Sequence, residues 1–175
     1  NAASFSRMVE LGIMLKNTTV NELVEARTTL EVQVAALAAS RHNENDIKAL
    51  LSTTENMKKW QSNPTKASVY DLEFHVELSK ACHNKVLNYM VNALRTLLEL
   101  WIKQAFSNEN IAIPDIIREH DGILRAVMNR DEAEASELMS KHLENAAQRL
   151  FTVIGNKELL ASLNTEEIDL RSTAK

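Results

Sequence analysis

The chain has 175 residues, 45% of them hydrophobic and 25% charged, with a formal net charge of -4. That is enough apolar residue for one packed domain and too little chain for two ordinary ones. The acidic balance argues against a nucleic-acid-binding face, and the lack of an 18-residue apolar run argues against a membrane span.

Only three Gly and two Pro interrupt the chain, which predicts an all-α fold. Residues 1–18 are mixed, with a short apolar stretch, and read as a linker. From Thr19 to Ser40, Leu23, Leu30, Val34 and Leu37 recur at helical spacing. A break at Arg41–Asn43 precedes a second helix from about Asn45 to Gln61. The Ser62-Asn63-Pro64-Thr65 cluster is a turn, with Pro64 suited to the first position of a third helix that runs to about Ala81. His83-Asn84 interrupts it, and a long apolar helix follows over roughly Lys85–Phe106. After a loop at Ser107–Asn110 comes a helix from about Ile113 to Asn129. Asp131 caps a last helix, which Gly155-Asn156 stops near Ile154. Residues 156–175 read as a mostly flexible tail. Six to seven helices joined by short connections predict an antiparallel bundle over residues 19–155.

Four polar residues occupy positions where this pattern expects inward-facing side chains. Asp71 and His75 stand one helical turn apart on the third helix, within reach of one ion. His120 lies among Ile116, Ile117, Leu124 and Val127, and His142 shares a stripe with Leu138, Met139, Ala146 and Arg149. Buried polar groups are costly unless partnered, and a shared metal ion would partner all four. An imidazole and carboxylate set suits one divalent ion per chain, zinc first, with nickel, manganese or iron as alternatives. The plainer alternative is that each histidine is a surface group or a satisfied core group. His42 and His83 fall in a loop and at a helix junction and are read as non-ligands. Leu72, Ile117 and Met139 stand three residues before the three histidines, so the Glu-x-x-His pairs of di-iron bundles are absent.

Arg27 falls on the apolar stripe of the first helix, where a buried guanidinium needs a partner. It either pairs with Glu31 one turn on or grips a carboxylate ligand with its planar fork. A divalent ion less the charge of Asp71, plus Arg27, would suit an anion of one or two carboxylates. Asn145, one turn beyond His142, is a candidate to bind that anion or to orient a ligand group, and Arg95 on the fourth helix is a weaker one.

These residues, in this order, resemble the effector-binding C-terminal FCD domain of bacterial GntR-type regulators, in the metal-containing branch of the FadR subfamily. The marks are Glu25-Ala26-Arg27, Leu30-Glu31, the run Ala35–Ala39, Asp71-Leu72-Glu73-Phe74-His75, Ala81-Cys82-His83-Asn84, Glu119-His120 and His142-Leu143-Glu144-Asn145. The resemblance covers roughly residues 20–155. It implies that Asp71, His75, His120 and His142 bind the metal and that Arg27 contacts an effector carboxylate. It also implies a homodimer that reaches DNA only through a winged helix-turn-helix, for which these residues have no counterpart. An opening at Asn1 without Met fits a fragment of such a regulator.

The expected function is therefore a switch. A small organic acid, such as a hydroxy acid or sugar acid, binds beside the metal and changes the DNA affinity of the parent dimer. A metal-dependent enzyme acting on a small carboxylate is the alternative, and a purely structural bundle is a third. The single Cys82 excludes an internal disulfide and fits a reducing cytoplasm.

Overall fold

In a computed structural model of the chain, residues 19–107 and 111–154 are described. The expected linker at 1–18, the stop at Gly155-Asn156 and the tail at 156–175 lie outside them. Six helices make up the described fold: α1 (Val20–Arg41), α2 (Glu44–Lys59), α3 (Pro64–Ala81), α4 (Lys85–Phe106), α5 (Ile113–Met128) and α6 (Glu132–Ile154). No strand occurs among the described residues, and none of these helices is long and apolar enough to cross a membrane.

Local chemistry sets the helix starts. Thr19 and Glu22 form a capping box at α1: the Glu22 amide donates to Thr19 Oγ1 at 3.2 Å, and the Thr19 amide donates to Glu22 Oε2 at 2.7 Å. Asn43 and Asp46 do the same for α2. Asn63 accepts from the Lys66 amide, with Pro64 in the first turn of α3. Asn84 accepts from the Val86 and Leu87 amides at the start of α4. Asp131 accepts from the Glu134 amide at 2.9 Å, as expected of the α6 cap.

Two helix ends use left-handed residues that are not glycine, His83 (φ 50°) and Arg130 (φ 60°). After α5 the Arg130 amide donates to the Val127 carbonyl and the Asp131 amide to the Ala126 carbonyl, each at 3.0 Å. Those two bonds satisfy carbonyls that the helix end leaves open. The Arg130 side chain then donates to the carbonyls of Ser40 and His42, at 3.0 and 3.1 Å, tying this corner to the end of α1. Glycine would fit the backbone better but would lose that tie.

α1 packs along α6, α2 and α4 flank α3, and α5 lies against α6 and α2. Ala35, Ala38 and Ala39 on α1 are fully buried, and their small side chains let α6 approach closely. The interior divides into two apolar clusters. One contains Phe74, Leu78, Ile123, Leu124, Met139 and Leu143. The other contains Leu72, Leu94, Leu98, Ile116, Ile117 and Leu150. α3, α5 and α6 each contribute to both clusters, and their polar residues stand where one gives way to the other.

Candidate metal centre and adjoining cavity

Asp71 and His75 from α3, His120 from α5 and His142 from α6 are all buried, at 5%, 2%, 0% and 2% exposure. One ligand atom from each lies within 4.8 Å of the others. His142 Nε2 stands 3.2 Å from His75 Nε2 and 3.4 Å from His120 Nε2. Asp71 Oδ1 is 3.4 Å from His120 Nε2. A tetrahedral zinc ion with ligands at about 2.0–2.1 Å sets neighbouring donors roughly 3.3 Å apart, so these three spacings fit one.

The outer nitrogens fix what the inner ones can do. His75 Nδ1 donates to Glu31 Oε2 on α1, and His142 Nδ1 donates to Glu119 Oε2 at 2.7 Å. With its proton on Nδ1, a neutral imidazole has only a lone pair at Nε2. With both rings neutral, as metal binding requires, His75 and His142 turn lone pairs toward each other, an arrangement that a shared cation would stabilise. His120 has no such carboxylate; its Nδ1 is buried without a hydrogen-bond partner. The Phe74 ring orients it instead, stacked at 4.1 Å between centroids and 10° between planes.

Electrostatics keeps His120 and His142 in the metal-ready state. Burial pushes His120 and His142 below the ordinary histidine value, so their rings stay neutral; neighbouring histidines add to this, and Glu119 opposes it in part at His142. Burial would raise the Glu31 carboxyl, but Arg27 and His75 outweigh it and hold Glu31 well below the usual carboxylate range. Glu119 is likewise brought down to about 2, against burial, by hydrogen bonds from His142 and Arg149. Both carboxylates are ionised at neutral pH and strengthen the donor character of the imidazoles they hold.

A cavity of about 40 Å³ adjoins the cluster, with Arg27, Asp71, His142 and Arg149 in its lining. At 10–15 Å³ of such volume per water, it has room for about three waters. Arg27 takes the first alternative raised by the sequence, with Nε donating to Glu31 Oε1 at 2.7 Å, and the residue also lines the cavity. Asn145 donates to Glu119 Oε1 at 2.8 Å, so it reaches His142 only through that carboxylate. It lines a separate open groove between α5 and α6. Arg95 is half-buried on α4 and outside the cavity lining. His42 and His83 stay clear of the cluster: His42 Nδ1 bonds the Ala38 carbonyl, and His83 pairs with Asp46.

Three residues were missed or half-read in the sequence. Glu31 bridges Arg27 to His75, a link across 44 positions that only helix packing creates. Glu119, next to His120 in sequence, is turned away from the ligand face of α5 by helical phase. It aims instead at α6, where it holds His142. Arg149 shares the stripe of His142, a legible signal, and both its terminal nitrogens donate to Glu119, Nη1 at 3.1 Å.

The FCD domain profile matches residues 22–145. This chain belongs to the FCD domain family. As an FCD domain it is 27% identical over 148 residues to the HTH-type transcriptional regulator LutR of Bacillus subtilis (strain 168), covering 80% of this chain and 66% of that protein. To the Exu regulon transcriptional regulator of Escherichia coli (strain K12) it is 29% identical over 133 residues, covering 74% and 51%. A solved structure titled Streptococcus agalactiae GntR shares the fold, with a TM-score of 0.63 at 21% identity over 73% of this chain and 57% of that one. The chain thus spans about half to two-thirds of the length of the regulators it matches. Both curated relatives are named as transcriptional regulators.

Proposed function

We propose that this FCD domain is the sensing part of a transcriptional regulator, holding a divalent metal ion on Asp71, His75, His120 and His142 and receiving a small carboxylate in the adjoining cavity. The observation that carries the reading is the close approach of the His75 and His142 Nε2 atoms, each ring fixed from behind by an ionised carboxylate. Zinc suits the donor set first, with nickel, manganese and iron as alternatives. The metal, when bound, supplies positive charge, and an ion that takes six ligands also keeps open coordination positions. Arg27, on a different helix from the ligands, supplies a directional anchor for the carboxylate.

The cavity lining connects binding to movement. The lining comes in part from α1, α4 and α6, so a ligand that fills the cavity bears on all three and repacks them. In a parent homodimer carrying winged helix-turn-helix domains, such repacking alters their spacing and the affinity for DNA. The ligand must bind the two arrangements unequally; about 1.4 kcal/mol of preference shifts their ratio tenfold. The domain boundaries at residues 19 and 155, the homodimer and a cytoplasmic location belong to the same reading. Exposed Val86 and Met90, one turn apart on α4, are apolar surface available to a second copy.

Calorimetry tests the anchor. Small carboxylates added to metal-loaded protein should release or absorb heat, and Arg27→Ala should abolish the signal. Unchanged binding by that variant would remove Arg27 from the account.

A further inference from the structure

We infer that the cavity selects a monocarboxylate with an aliphatic tail over dicarboxylates and polyhydroxylated acids. This rests on the reading above, in which a metal ion and a carboxylate share the site.

The first argument is charge. Both arginines in the cavity lining are already matched: Arg27 by Glu31 at 2.7 Å, and Arg149 by Glu119 through both terminal nitrogens. The imidazoles must be neutral to bind metal. What remains is the divalent ion less the charge of Asp71, a single positive charge. The sequence count reaches two by adding Arg27, whose charge Glu31 cancels in the structure. One carboxylate therefore completes the site, and a second would be buried in excess.

The second argument is the wall. Beyond the charged groups, the described lining includes Leu98, Ile102, Phe106, Ile111, Ile116 and Leu150, none of which can hydrogen-bond through its side chain. The Thr28 hydroxyl in the same lining gives its proton to the Val24 carbonyl at 2.9 Å, which leaves it as an acceptor alone. Each arginine is tied through its carboxylate to a histidine of the cluster, which gathers the polar capacity at that end. Among the described residues, hydroxyls farther along the ligand would lose water and find few partners.

Three four-carbon 2-hydroxy acids make the test clean, since they differ only beyond the shared head: 2-hydroxybutyrate ends in methyl, malate in carboxylate, and threonate carries hydroxyls. Calorimetric titration of the zinc-loaded chain with each should show 2-hydroxybutyrate binding at least tenfold tighter than the other two. Equal or tighter binding of malate overturns the charge argument, and equal or tighter binding of threonate overturns the wall argument. Heat from none of the three overturns the carboxylate-receptor reading itself, a result distinct from either reversal.

Discussion

His75 Nε2 and His142 Nε2 stand 3.2 Å apart, although the proton of each ring is committed to a carboxylate behind it. Where both rings are neutral, two acceptors face each other at that distance and repel. A cation placed between them relieves that repulsion.

Metal removal should consequently lower thermal stability. At a free metal concentration 100 times Kd, the stabilisation is about 2.7 kcal/mol. For a chain of this size that corresponds to a rise in Tm on the order of 5–10 °C. Melting followed by circular dichroism, with zinc and with a chelator, measures it. Identical curves would contradict a cation between the two rings.

The two supporting carboxylates should differ in their structural weight. Arg27 and Glu31 side chains are 11% and 5% exposed, against 22% and 18% for Arg149 and Glu119. Removing one partner of a buried ion pair costs about 3–5 kcal/mol, because the other charge stays buried. Glu31→Gln should approach that figure in denaturant unfolding of the metal-free protein, and Glu119→Gln should fall clearly short of it. Metal affinity should fall about 10–100-fold in both, since each holds a ligand imidazole. Equal unfolding losses would mean that Arg27 is less dependent on Glu31 than its burial implies.

At the α5 exit, Arg130 combines a left-handed backbone with two bonds to carbonyls at the end of α1. Arg130→Ala loses the bonds and keeps the strain, whereas Arg130→Gly loses the bonds and releases it. The glycine variant should be more stable than the alanine variant by about 1 kcal/mol, the usual cost of that conformation for a residue with a Cβ. Chemical denaturation of the pair gives the difference directly, and alanine equal to glycine would show the strain to be absent.

Helix positions and the inward direction of the polar quartet were legible in the sequence because both follow from local rules. Caps such as Asn63 and Asp131 act within three residues, and the spacing of Asp71 and His75 fixes a common face. The supporting groups were harder to find. Glu31 looks like the i,i+4 partner of Arg27, and its hold on His75 appears only once α1 is packed against α3. Glu119 departs from the ligand face of α5, and helical phase alone does not reveal that this direction leads to His142 on α6. Arg149 was visible on the stripe of His142, but its value depends on a cavity that no single helix contains.

The claim that one ion is shared by Asp71, His75, His120 and His142 is tested most directly by elemental analysis of protein purified without an affinity tag. The account predicts about one divalent ion per chain, falling sharply in His120→Ala and in His142→Ala. Full metal content in both variants, or a wild-type chain that takes up no ion when zinc is supplied, would contradict it.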